Sequence, residues 1–259
     1  MNRPPLLVFT DLDGTLLDHE TYCHAPAAPA LARLRAAGVP VILASSKTAA
    51  EIAPLRAELG LSDHPAIVEN GAGVLVPGAG APADRGLYDD LRAALNRLPE
   101  GLRSGFRGFG DCDIAEIVRL TGLPEADAAL AALRRFSEPG LWTCDAEGKA
   151  SFLAALAELG VVAREGGRFL TLSFGGTKAE RIAEIAGRYG DPFTVALGDA
   201  PNDVEMLERA DLGIVIANPH RLPLPPLRGE EAGRILRIAA PGPKGWNEAM
   251  ERVIRECGL

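Results

Sequence analysis

Asp11 and Asp13 stand two residues apart in Asp11-Leu12-Asp13-Gly14-Thr15-Leu16, directly after the apolar run Leu6-Leu7-Val8-Phe9-Thr10. A buried strand over 6–10 delivers Asp11 to its C-terminal edge, and Gly14 permits a sharp turn that keeps Asp13 beside the same polar cavity. A carboxylate so placed can attack phosphorus and carry the phosphoryl group covalently. Its neighbour can protonate a leaving alcohol and later activate water. Two carboxylates alone repel a phosphate dianion, so the chemistry calls for a hard divalent cation, Mg2+, bridging ligand oxygens and neutralising charge.

A second acidic cluster, Gly198-Asp199-Ala200-Pro201-Asn202-Asp203, again follows an apolar strand pattern, Phe193–Leu197. Asp199 is the main metal ligand expected there. Asp203 holds the cation through water or orients Asp199, and Asn202 donates to the substrate phosphate or stabilises the loop. Ser45, in Ser45-Ser46-Lys47 after the strand 41–44, can donate to a phosphate oxygen, and Lys47 is a candidate substrate contact. Lys178 opens a helix after Gly175-Gly176 and can stabilise both Asp11 and the transferring group. Asn70-Gly71 follows a third strand, Ala66–Val68, and completes the wall or bends the chain.

The elements that must position these residues alternate. Helical patterns at 30–37 and 48–59 separate the first three strands, and helices at 177–189 and 202–209 flank the strand 193–197, which 212–216 follows. Such alternation predicts an α/β fold with a largely parallel, Rossmann-like sheet whose ligands bind outside the carboxyl ends of the strands. The run Pro77–Arg85 changes texture and leads out of that core. Beyond it, helices near 86–97, 111–121, 125–135 and 149–159 and strands at 141–143, 161–164 and 168–173 predict an inserted α+β cap. The expected division is a first core segment over 1–84, a cap over 85–174 and a second core segment over 175–259. The last helix is expected over 246–257.

With 259 residues, 47% hydrophobic and 24% charged, the chain is long and apolar enough to bury a sizeable core, and its composition does not fit disorder. A formal charge of −8 and the lack of an aromatic-basic motif argue against a nucleic-acid partner. No apolar run reaches the roughly 18–20 residues that cross a bilayer. Met1-Asn2-Arg3-Pro4-Pro5 carries no secretory signal pattern, and Cys23, Cys112, Cys144 and Cys257 are too scattered for a metal knuckle; reduced thiols and a cytoplasmic location are expected. His19, His24, His64 and His220 likewise show no ligand spacing.

The order Asp-Leu-Asp-Gly-Thr, Ser45, Lys178 and Gly-Asp-Ala-Pro-Asn-Asp resembles the haloacid-dehalogenase-like phosphatase superfamily over essentially the whole chain. The resemblance implies Asp11 as nucleophile, Asp13 as acid/base, Ser45 and Lys178 on phosphate, and Mg2+ on Asp11, Asp13 and Asp199, with Asp13 contributing its backbone carbonyl. Within that superfamily, Leu43-Ala44-Ser45-Ser46-Lys47-Thr48, Val68-Glu69-Asn70-Gly71-Ala72 and Gly242-Pro243-Lys244-Gly245-Trp246-Asn247 resemble the mannosyl-3-phosphoglycerate phosphatase family. That likeness implies a glycosylated 3-phosphoglycerate as substrate and mannosylglycerate and phosphate as products. In the cap, Arg168 or Arg107 is expected to pair with the glycerate carboxylate and Glu138 to accept sugar hydroxyl bonds. Leu170 stands where that family carries a histidine. A glucosylated substrate, a broader sugar-phosphate range, a phosphomutase using the same nucleophile and a non-catalytic phosphate-binding protein remain the alternatives. Oligomeric state is not legible in the chain.

Overall fold

A computed structural model describes residues 6–80, 85–166 and 168–259. Residues 1–5, the stretch 81–84 that closes the expected first core segment, and Gly167 lie outside the described residues. In chain order the first elements are β1 (Leu6–Thr10), α1 (Ala28–Ala36), β2 (Val41–Leu43), α2 (Ala49–Glu58), β3 (Ala66–Val68) and β4 (Gly73–Leu75). The middle of the chain forms α3 (Gly86–Asn96), α4 (Glu100–Arg103), β5 (Phe106–Gly108), α5 (Ile114–Thr121), α6 (Glu125–Ala131), β6 (Ser137–Trp142), α7 (Ala146–Glu158), β7 (Val162–Gly166) and β8 (Phe169–Ser173). The last elements are α8 (Lys178–Arg188), β9 (Phe193–Gly198), α9 (Val204–Arg209), β10 (Leu212–Ala217), β11 (Ile235–Pro241) and α10 (Gly242–Glu256).

Two units result. The first comprises 1–45, 60–67 and 177–259. Its sheet runs β11-β10-β9-β1-β2, parallel throughout, with Ala44 bridging in parallel to Ile67. All five residues of β1 are buried, as a strand covered on both faces requires. Leu7 and Phe9 pack with Ile182 and Ile185 of α8 and Met206 and Leu207 of α9. On the opposite face Thr10 accepts a hydrogen bond from the indole of fully buried Trp246 in α10 at 3.0 Å. This is the Rossmann-like core expected from the alternation.

The second unit comprises 46–59 and 68–176. It holds an antiparallel sheet, β5-β6-β8-β7, with Leu91 and Leu95 of α3 and Phe152 and Leu156 of α7 packed on Phe106, Leu170 and Leu172. The inserted α+β character predicted for the middle block is therefore present.

Several boundaries differ from expectation for physical reasons. The helix expected over 125–135 ends at Ala131, because the N–H groups of Arg135, Phe136 and Ser137 donate to the buried Glu69 carboxylate instead of continuing the helix. β6 begins at Ser137 and accommodates Pro139, paired with Thr171, so the strand is longer than the 141–143 segment the Pro-Gly pair suggests. β11 carries no expectation; its parallel pairing with β10 makes it a strand. α10 starts at Gly242 with Pro243 in its first turn, where a missing N–H costs nothing.

Candidate active site

The ladder between β1 and β9 sets the site. Thr10 lies in register with Leu197, and the Asp11 N–H donates to the Leu197 carbonyl at 2.9 Å, so Asp11 and Asp199 leave adjacent parallel strands at the same edge. Both are buried, at 6% and 3% exposure. Asp203 reaches the same edge from the single turn 201–203, and its Oδ2 accepts the N–H groups of Asp199 at 3.1 Å and Ala200 at 3.0 Å. Gly198 is required there: a Cβ would stand 2.5 Å from the Cβ of Asp203.

Lys178 is the first residue of α8, entered through a capping box between Thr177 and Glu180. A cation at a helix N-terminus opposes the macrodipole, and carboxylates offset that cost here. Its Nζ donates to Asp11 Oδ1 and to Asp203 Oδ1, each at 2.7 Å. Burial alone pulls the Lys178 ammonium down, but the two carboxylates overcome it and raise its pKa. Burial pushes Asp11 well above the usual carboxylate range, reinforced by the charge of Asp203 and opposed by Lys178. Burial also raises Asp199, against the hydrogen bond from Asn218.

Carboxylate oxygens of Asp11, Asp199 and Asp203 lie within 4.8 Å of one another. Two of these three buried carboxylates, Asp11 and Asp203, share the buried Lys178 ammonium, and Asp199 is held by other donors. An all-oxygen donor set with this excess of negative charge fits a hard divalent cation, and burial of the trio makes neutralisation worth more than it would be in water. Asp13 is half-buried in the turn after β1, where its backbone bridges to Leu17. Ser45 is buried just beyond β2, its N–H bound to Ile67 at 3.0 Å, and Asn202 is exposed on the turn before α9.

Three contacts to Asp199 have no sequence signal of their own. Thr15 Oγ1 donates to Oδ1 at 2.8 Å, Asn218 Nδ2 donates to Oδ2 at 2.7 Å, and Arg221 Nε stands 3.5 Å from Oδ2. Beside them opens a cavity of about 480 Å³, walled by Val215, Ile216, Leu224 and Ile238 and edged by Asn218 and Arg221.

The remaining expected site residues lie in the second unit. Lys47 pairs with Glu51 at 3.8 Å. Asn70 follows Glu69 in a left-handed turn, with φ of 58° and 51°. Arg107 is exposed and pairs with Glu116, and Arg168 donates to the Leu120 carbonyl at 2.7 Å and lies over Phe169. Glu138 is fully buried and accepts from Tyr88 at 2.7 Å, Arg92 at 2.6 Å and the Gly110 N–H at 2.8 Å. Those three donors occupy both of its oxygens, and burial nonetheless holds its pKa above the usual value.

No helix among the described residues is long and apolar enough to cross a membrane. In fold, the chain is similar to a hypothetical protein from Geobacillus kaustophilus, at 22% identity and a TM-score of 0.65 over 95% of this chain and 98% of that one. It is also similar to a phosphatase of the haloalkanoate superfamily from Bacteroides thetaiotaomicron, at 17% identity and a TM-score of 0.63 over 99% and 96%. The sucrose-phosphatase of Synechocystis sp., solved with sucrose and phosphate, shares 15% identity and a TM-score of 0.61 over 98% of both chains. The sequence model for haloacid dehalogenase-like hydrolases matches residues 8–80 and 154–222, more than half of the chain, and takes in Asp11, Ser45, Lys178, Asp199 and Asp203. The chain belongs to the haloacid dehalogenase-like hydrolase family.

Proposed function

We propose that this chain is a Mg2+-dependent phosphatase that hydrolyses mannosyl-3-phosphoglycerate to mannosylglycerate and phosphate through an aspartyl-phosphate on Asp11. The observation that carries the reading is the sharing of Lys178 between Asp11 and Asp203 within a buried carboxylate trio at the strand edge. A carboxylate oxygen of Asp11 attacks phosphorus, forming an O–P bond as the ester P–O bond breaks. The departing oxygen takes its proton from Asp13, which is then the base that deprotonates a water. That water attacks phosphorus, releases phosphate and restores both aspartates. Lys178 favours the carboxylate form of Asp11 against its burial and meets charge developing on the phosphoryl oxygens, with Ser45 and Asn202 as further donors.

The cation is assigned to Asp11, Asp199, Asp203 and the Asp13 main-chain carbonyl; when bound, it neutralises the phosphate and orients it for in-line attack. Membership in a hydrolase family and the likeness in fold to sugar-phosphate enzymes support this class of reaction. Substrate recognition is assigned to the inserted unit, expected over 85–174, through Arg107 and Arg168, with Lys47 and Asn70 from segments before it; Glu138, expected to accept sugar hydroxyl bonds, is instead fully buried and engaged by Tyr88, Arg92 and Gly110.

Phosphate release with product identification tests the reading, using mannosyl-3-phosphoglycerate, its glucosyl counterpart and a panel of simple sugar phosphates, all with Mg2+. Preference for the mannosyl compound supports it. Equal use of both glycosyl compounds broadens the substrate class, and turnover confined to simple sugar phosphates rejects the assignment while leaving Asp11 chemistry standing.

A further inference from the structure

Asp199 is gripped on both oxygens by neutral donors, Thr15 on Oδ1 and Asn218 on Oδ2. Asn218 is itself pinned at both ends. Its Oδ1 accepts the His220 N–H at 2.9 Å, so the amide nitrogen faces Asp199 and the oxygen faces its own chain. Gly14 completes the arrangement: at φ of +84° it bends the chain after β1, and a Cβ there would meet Asn218 Nδ2 at 2.6 Å and Asp199 Oδ2 at 3.1 Å. The Asp-Leu-Asp-Gly turn is thus bare on the side where Asn218 reaches across.

We propose that Asn218 is a positioning residue for the divalent cation, holding Asp199 in the orientation that ligates. The inference rests on the assignment of Asp199 as a ligand. A carboxylate with one donor on each oxygen is fixed in tilt and keeps lone pairs on both oxygens for a cation. Arg221 Nε already stands 3.5 Å from Oδ2; with Asn218 removed, its guanidinium is the donor left beside that oxygen and competes with the cation for it. Asn218 borders an existing cavity, so truncating it widens that space and leaves the packed interior intact.

The test is a titration of the full chain with Mn2+, read by electron paramagnetic resonance in the absence of substrate. Asn218→Ala is expected to weaken Mn2+ binding at least about tenfold. The Mg2+ concentration giving half-maximal phosphate release should rise by the same factor, with the substrate KM at saturating Mg2+ unchanged. Asn218→Ser keeps an oxygen able to accept the His220 N–H in the same turn but lacks the reach to Asp199, so it should behave like the alanine variant. Wild-type Mn2+ affinity in Asn218→Ala overturns the proposal. Wild-type affinity in Asn218→Ser alone also overturns it, by assigning Asn218 to the turn. Normal Mn2+ binding without turnover of any phosphate ester would sink the phosphatase reading and not the role of Asn218; a wild-type protein that binds no Mn2+ would sink both.

Discussion

Lys178 Nζ stands 2.7 Å from Asp203 Oδ1, the same distance at which it meets Asp11. Asp203 in turn accepts two main-chain N–H groups from the turn after β9, so the ammonium is aimed by a carboxylate that is itself locked in place. Lys178→Met removes the one cation between two buried carboxylates. Stability of the cation-free protein should fall by about 3–5 kcal/mol, and phosphate release by about 10²–10³-fold. Melting curves and steady-state rates report the two effects separately; superimposable melts would show that the pair contributes nothing.

Asp11→Asn separates chemistry from stability. Burial and the neighbouring charges of Asp203 and Asp199 disfavour the Asp11 carboxylate, with Lys178 opposing them. A neutral isostere relieves that repulsion, so the cation-free variant should melt no lower than wild type. Phosphate release should fall by at least about 10⁴-fold. A lower melting temperature would mean that the bond to Lys178 outweighs the repulsion.

Glu69 is a structural anchor of the second unit. It accepts from the N–H groups of Arg135, Phe136 and Ser137 and from the Ser137 hydroxyl, with Arg134 Nε 3.3 Å away. Glu69→Ala strips those main-chain donors of their acceptor and a buried guanidinium of its carboxylate, leaving Arg134 its bonds to Ser137 and Ser46, and should cost about 3–5 kcal/mol. Hydrogen exchange at Arg135–Ser137 should accelerate relative to the β10–β11 ladder; uniform acceleration would contradict a local anchor.

Glu230 provides a pH test on a carboxylate outside the buried trio. The Arg237 guanidinium and the Leu227 N–H hold its carboxyl down to about 2, against an ordinary 4.5. A depressed folded-state pKa contributes stability above the unfolded value and loses it as pH falls through the folded value. The melting-temperature gap between wild type and Glu230→Gln should be full above pH 4.5 and close as pH falls toward about 2. A gap that widens on acidification would refute the sign.

Local signals made the strand ends legible. Leu6–Thr10 is apolar at every position but the last, and the Asp-x-Asp-Gly turn follows at once; the Gly-Gly break before Thr177 marks the start of α8 and so the place of Lys178. Contacts that depend on distant parts of the chain were not legible. Thr15 meets Asp199 across 184 residues, and Asn218 meets it from the position directly after β10. The early end of α6 is decided by Glu69, 66 residues upstream, and β11 by its pairing with β10. Helix and strand periodicity carry no record of such partners.

The place of β1 between β2 and β9 has a consequence for how the chain is made. Leu6 pairs in register with Phe193, so nearly the whole second unit is synthesised before β1 acquires its second neighbour. At translation rates of about 5–20 residues per second that interval is roughly 10–40 s. Through it, a strand destined for complete burial has one hydrogen-bonding edge open to mispairing while Asp11 is already outside the ribosome.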